Sequence, residues 1–266
     1  MYEIASAECR CALQQTLVAI FTMIDRILLY FSFMSLAVIG SGRYVHKNCQ
    51  PNVLPNPLSQ PAFLRSVGGA LAAQFLKQGK HVVLAARDPS SDKTKAALAE
   101  TPGLTAVSMV EAVKAASMVF VCCPYPAVAD CVKGLDLNGK IVVNCTNPVG
   151  PGLTHAGGGK GGGEIVQELL PNSQVVNCFN IYGYENFRNT AYPNYGPLKP
   201  AMMLCGNDAS AKSAVVELVA ALGFEPVDVG DIKSSIHLEH MCLMWVKMGR
   251  VQGKGPNFTW GMLQRQ

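Results

Sequence analysis

What the chain lacks narrows it first. None of its ten cysteines forms a Cys-x-x-Cys spacing, which removes thioredoxin-like redox motifs and zinc ribbons from consideration. The cysteines are scattered, and several fall in runs that read as buried strands. Reduced thiols in an intracellular protein, cytoplasmic or organellar, account for them better than a disulfide framework. The vicinal Cys122-Cys123 is read as packing, with a redox role as the alternative. Charged residues make up only 15% of the chain, with a net charge of +4. No basic run or pattern of stacking aromatics accompanies them, so nucleic acid is not expected as a partner.

Long apolar runs are also missing. A membrane-spanning helix needs about 18 uninterrupted apolar residues, and residues 17–33 carry Asp25 and Arg26 in their middle. Glu3 and Glu8 precede that run and no small-residue cleavage site follows, which disfavours a secretory signal. Residues 1–33 are therefore expected to be a non-core extension, with an amphipathic surface helix as the second reading and a membrane role as the third. Internal repeats are absent, and the one low-complexity stretch is the glycine-rich segment 150–163.

What is present points to a large core. An apolar fraction of 49% over 266 residues suits one α/β domain with a small addition rather than disorder. The stretch Ser35-Leu36-Ala37-Val38-Ile39-Gly40-Ser41-Gly42 reads as an apolar strand entering a glycine turn. Residues 43–65, rich in proline and asparagine, interrupt it. The text then resumes as Ser66-Val67-Gly68-Gly69-Ala70, with apolar residues at helical spacing up to Gly79. Without the insertion the two halves join into G-x-G-x-x-G, filled by Gly40, Gly42 and Gly68. Such glycines permit the tight strand-to-helix turn, the approach of a pyrophosphate to the backbone, and close helix–strand packing. Ser41 and Val67 complete the turn, and the helix N-terminus supplies free N–H groups for phosphate.

Alternating strand and helix patterns follow. Strands are expected at residues 81–86, 104–107, 117–123, 140–145, 174–179, 201–205 and 225–229. Helices are expected between them, and a closing helix at 234–250. The implied fold is a Rossmann-type, doubly wound α/β structure. Its sheet is mostly parallel, with a small C-terminal α/β extension and the closing helix. The expected organisation is an extension (1–33), a cofactor domain (34–150, interrupted by 43–65), and a smaller substrate or dimerisation part (151–266).

Three sets of residues carry the chemistry. At the end of the second strand a cofactor without a 2′-phosphate wants a carboxylate. Here that position is Ala86, followed by Arg87, whose fork suits a phosphate; Ser90, Ser91 and Lys93 add donors. This argues for NADP(H) over NAD, although Asp88 is near enough to serve a ribose. Ligands of open α/β sheets bind at the carboxyl ends of strands, where Cys123-Pro124 and Thr146-Asn147-Pro148 lie. A proline-stiffened backbone with one amide side chain could hold a nicotinamide. His155, in the glycine-rich segment, is a candidate proton donor or substrate contact, with a solvated loop histidine as the alternative. His237 and His240 flank Glu239, but no third ligand converges in sequence, so ordinary helix residues are favoured over a metal site.

With those residues in hand, the chain resembles the NADP-dependent oxidoreductases of the coenzyme F-420:NADP reductase type. The resemblance rests on AVIGSG…VGGALA, the AAR at residues 85–87, the TNP at 146–148 and VVNCFN at 175–180. CGNDASAK, LGFEPVDVG and LEHMCLMWVKM extend it towards the C-terminus. The first half is also similar to the cofactor domain of pyrroline-5-carboxylate reductases. The resemblance implies hydride exchange between NADP(H) and a small-molecule redox acceptor, without a protein nucleophile. It implies that Asn147 and Asn180 lie near the nicotinamide and substrate pocket, and it is consistent with a homodimer. A NADPH-binding sensor, impaired by the insertion, is the alternative reading.

Overall fold

The structure is a computed structural model that describes residues 35–40, 64 and 66–265. The extension, nearly all of the insertion, and Ser41 and Gly42 lie outside the described residues. Eight strands form one sheet in the order β3-β2-β1-β4-β5-β6-β7-β8. They are β1 (Ser35–Ile39), β2 (His81–Ala86), β3 (Thr105–Ser108), β4 (Met118–Val121), β5 (Ile141–Asn144), β6 (Gln174–Asn177), β7 (Ala201–Gly206) and β8 (Glu225–Asp228). The first six are parallel neighbours, in the order of a doubly wound dinucleotide fold. β7 joins β6 antiparallel through Val176 opposite Gly206 and Asn177 opposite Cys205, and β8 then runs parallel to β7. Strands from before and after residue 150 share this one sheet.

Helices connect the strands: α1 (Val67–Lys77), α2 (Asp92–Glu100), α3 (Met109–Ala115), α4 (Val128–Val132), α5 (Gly162–Leu169), α6 (Tyr184–Arg188), α7 (Ala209–Ala221) and α8 (Ser235–Val246). Local chemistry sets their ends. Ser66 caps α1 by accepting from the Gly69 amide at 3.1 Å. The helix stops where the Gly79 and Lys80 amides fold back onto the Leu76 and Phe75 carbonyls. A capping box between Ser108 and Glu111 starts α3.

β1, β4 and the inner positions of β5 are buried, as expected for parallel strands covered on both faces. Beneath the sheet, the rings of Phe75 and Phe120 lie 5.3 Å apart and those of Phe120 and Phe179 6.1 Å apart. A second cluster joins Tyr182, Phe187 and Phe224.

Three expectations are refined. The sixth strand ends at Asn177 rather than Phe179, because Phe179 adopts φ 58°. The closing helix ends at Val246 and continues as a π-turn over Lys247–Val251. The aperiodic tail is laid down along the C-terminal strands: the Trp260 carbonyl accepts from the Ala201 amide, and the Trp260 amide donates to the Tyr182 hydroxyl. Among the described residues no helix is long and apolar enough to cross a membrane.

Phe75 is fully buried at the centre of the ring cluster. Phe75→Ala is expected to cost about 3–5 kcal/mol of unfolding free energy, read from urea denaturation midpoints with unchanged slope.

Candidate active site at the strand carboxyl ends

Gly40 follows β1 at φ +89°, a conformation open to glycine and strained for other residues. Space is closed there as well: a Cβ on Gly40 would lie 2.6 Å from the Cys123 Cα. A Cβ on Gly68, in the first turn of α1, would lie 2.9 Å from the Gly40 carbonyl oxygen and 2.9 Å from Val38 Cγ1. The insertion therefore does not part the strand from the helix. Strand end and helix start meet as closely as an uninterrupted glycine turn requires, and Cys123 closes the third side. Gly42, the second glycine of the pattern, lies outside the described residues.

Arg87 follows β2 and is exposed. Its Nη2 donates to Cys131 Sγ on α4 at 3.7 Å, so the guanidinium leans across the sheet towards the loop after β4. Asp88 is committed to its own turn. Its Oδ1 accepts from the Ser90 amide at 2.9 Å and hydroxyl at 2.6 Å, and its carbonyl accepts from the Ser91 and Thr94 hydroxyls. The bonds from Ser90 hold its carboxyl below the usual range. Ser91 also caps α2 through the Thr94 amide. Two of the nearby polar groups thus shape the loop, and Lys93 stands exposed in the first turn of α2.

At the next strand ends, Pro124 opens a short 3-10 turn over Tyr125–Ala127. Pro148 is buried and Asn147 half-buried. Asn147 and Asn180 form a reciprocal pair: Asn147 Nδ2 donates to the Asn180 carbonyl at 2.8 Å, and Asn180 Nδ2 donates to Asn147 Oδ1 at 3.1 Å. Directly below, Asn144 and Asn177 are in register across β5 and β6, with Asn144 Nδ2 donating to Asn177 Oδ1 at 2.7 Å. Asn180 is 1% exposed, yet its Oδ1 has no hydrogen-bond partner. A buried acceptor without a donor is costly, and Phe179, at φ 58°, supplies the bend that carries Asn180 there.

His155 is held inside the protein. Its Nε2 lies 2.6 Å from Glu239 Oε2, and its Nδ1 accepts from the Gly157 amide at 3.2 Å. An accepting Nδ1 means that Nε2 carries the proton and donates it to the carboxylate. Both nitrogens are thereby occupied. Glu239 is 1% exposed and also accepts from the Gly162 and Gly163 amides at the start of α5. Burial pushes its carboxyl up, against the pull of the three donors. His240 is exposed and stacks on His155 at 5.0 Å, while its Nδ1 bonds the Ile236 carbonyl. No group of three metal-ligating residues converges among the described residues.

Sequence reasoning missed Glu239 as the anchor of His155, because 84 positions separate them and no periodicity links a loop to a helix face. It missed Cys131 for the same reason. Asn177 was within its reach, being inside the quoted VVNCFN.

Residues 66–148 match the family described as NADP oxidoreductase, coenzyme F420-dependent. The match spans α1, Arg87, Cys123, Pro124, Asn147 and Pro148. The sequence is 30% identical over 175 residues to the metalloreductase STEAP3 of Rattus norvegicus, covering 64% of this chain. The chain spans about a third of that relative's length (33%). Among solved structures, a protein described as an F420-dependent NADP-reductase from Arthrobacter sp. superposes with a TM-score of 0.71 at 22% identity, over 87% of this chain and 100% of that one. A hypothetical protein of Sinorhizobium meliloti gives 0.63 at 26% identity, over 89% and 99%. The Rossmann-like fold read from the sequence is thus borne out, and residues 66–148 match the NADP-dependent oxidoreductase family read there.

Glu239→Ala would leave the Gly162 and Gly163 amides and the His155 N–H buried without an acceptor. A loss of about 3–5 kcal/mol is expected, measured by urea denaturation. Asn147→Ala should destabilise by less, since it removes one amide of a half-buried pair.

Proposed function

We propose that this chain binds NADP(H) across Gly40, Gly68 and Arg87 and exchanges a hydride with a small-molecule acceptor. The acceptor class is flavin-like, deazaflavin, quinone or chelated metal. The observation that carries this reading is the closed approach of Gly40 and Gly68 beside an arginine at the neighbouring strand end. The cradle fits the cofactor. The two glycines bring the end of β1 against the start of α1 with no side chain between them, and Arg87 supplies a cation at the end of the neighbouring strand for a 2′-phosphate. Asn180 Oδ1 is a buried acceptor awaiting a donor, which a carboxamide N–H would satisfy.

When bound, NADPH supplies the hydride. The chain's own residues bind, orient and exclude water. The prolines after β4 and β5 stiffen two loops, and the Asn147–Asn180 pair fixes the distance between the ends of β5 and β6. Glu239 holds the glycine-rich segment closed through His155. The residues before about 150 carry the cofactor, and those after it complete the acceptor side; a homodimer fits this division. The description of the rat relative as a metalloreductase supports keeping a chelated metal among the acceptors.

Arg87→Ala is expected to weaken NADPH binding by about 10–100-fold, from the loss of charge-assisted bonds worth about 1.5–3 kcal/mol. NADH affinity should stay nearly constant. Fluorescence titration with both cofactors checks this, and equal losses for the two would remove the arginine from the site.

The interruption of the glycine pattern favours a second reading, a sensor that binds NADPH without turnover. A loop of this length costs little to close. Deleting residues 43–65 should leave NADPH affinity within about threefold if the loop folds clear of the turn. A gain above about tenfold would show that the native chain is impaired and would favour the sensor.

A further inference from the structure

A directed chain of hydrogen bonds runs from the end of β5 to the unpartnered Asn180 Oδ1. Asn144 ends β5 and is fully buried. The backbone there is tied on both sides: the Cys178 amide donates to the Asn144 carbonyl at 3.1 Å, and the Cys145 amide donates to the Val121 carbonyl at 3.0 Å. Asn144 Oδ1 accepts from the Thr146 amide at 3.3 Å and the Thr146 hydroxyl at 2.8 Å. This Asx turn bends the chain off the strand at Thr146. With Oδ1 engaged, Nδ2 faces β6 and donates to Asn177 Oδ1 at 2.7 Å. Asn177 is walled in as well, since a Cβ on Gly163 would lie 2.9 Å from that same oxygen. The bend delivers Asn147, whose Nδ2 donates to the Asn180 carbonyl at 2.8 Å. A carbonyl only accepts, so Asn147 Oδ1 is left to face the Asn180 side chain. Asn180 answers with Nδ2 at 3.1 Å, and its own Oδ1 is turned away, buried and without a partner. A backbone group at each end, the Thr146 N–H and the Asn180 C=O, thus fixes which way every amide points.

We propose that Asn144, acting through Thr146 and Asn147, is a positioning residue that makes this pocket select a carboxamide over a carboxylate on the pyridine ring. The inference rests on the cofactor placement given above. Because Asn180 offers an acceptor, a carboxamide NH2 can donate to it. A carboxylate in the same place would set its lone pairs against Oδ1, and a buried charge without a donor is costly. Without the Thr146 hydroxyl the turn loses its shorter bond, and Asn147 is free to shift. Asn180 can then turn over and offer N–H instead of oxygen. Selectivity between the two ring substituents is lost, while the 2′-phosphate end of the ligand, held at Arg87, is untouched.

The test is calorimetric titration of the full chain with three ligands: NADP+, its nicotinic acid analogue, and 2′-phospho-ADP-ribose, which lacks the ring. The native chain is expected to bind NADP+ tighter than the analogue by about tenfold or more. Thr146→Val, which keeps the side-chain volume, should narrow that ratio to within about threefold. Thr146→Ser, which keeps the hydroxyl, should retain the full ratio. Affinity for 2′-phospho-ADP-ribose should be the same in all three chains. Asn144→Ala should match Thr146→Val; if it does not fold, the two Thr146 variants decide alone. An unchanged ratio in Thr146→Val would overturn the proposal. So would an equal loss in Thr146→Ser, or a loss of 2′-phospho-ADP-ribose affinity, either of which would mark general damage to the fold. A native chain that binds NADP+ tighter than 2′-phospho-ADP-ribose yet accepts the analogue equally would overturn it too. A native chain that binds NADP+ no tighter than 2′-phospho-ADP-ribose would instead refute the carboxamide placement itself, and one that binds neither would refute the whole cofactor reading.

Discussion

Everything at this site depends on a place where three pieces of backbone come together with no room for a side chain. The end of β1, the start of α1 and the loop after β4 converge at Gly40, Gly68 and Cys123. The contacts are so close that a single methyl at either glycine would overlap backbone or a packed side chain. This constraint fixes the angle at which α1 leaves the sheet, and therefore where its N-terminal amides point. It also explains how the end of β1 and the start of α1 stay in contact although the insertion lies between them in sequence: the packing, rather than chain continuity, sets their spacing.

A second set of forces acts from the far end of the chain. Glu239 on α8 gathers three donors from the glycine-rich segment and the start of α5. Burying a carboxylate is expensive unless its lone pairs are met, and here they are. The result is a loop rich in glycine that is held in one conformation by a helix near the C-terminus. The two asparagine pairs do similar work across β5 and β6, Asn144–Asn177 at the last rung of the ladder and Asn147–Asn180 beyond it.

The strands and helices were legible because burial on both faces writes continuous apolar runs into β1, β4 and β5, and because Ser66, Gly79 and Ser108 mark helix ends by their own chemistry. Gly40, Gly68 and Arg87 were legible as types at known offsets. The partners of those residues were not. His155 with Glu239, and Arg87 with Cys131, are separated by 84 and 44 positions, and such pairings come from topology alone. Asp88 is instructive in another way. The sequence offers it as a ribose ligand, whereas its Oδ1 accepts both available groups of Ser90 and caps the turn. Local hydrogen bonding claims short polar side chains first. The end of β6 shows the reverse case, where an apolar run promises extension and a single residue, Phe179, turns away at positive φ.

The outer strand β8 reads Glu225-Pro226-Val227-Asp228 and pairs on one side only, with β7. Pro226 has no amide to offer an incoming strand, and carboxylates stand at both ends of the element. Proline and like charges at an exposed edge are the usual guards against sheet extension. The consequence concerns how copies of this chain can meet. Growth of the sheet from one molecule into the next is blocked at this margin, which leaves β3 as the other edge of the sheet.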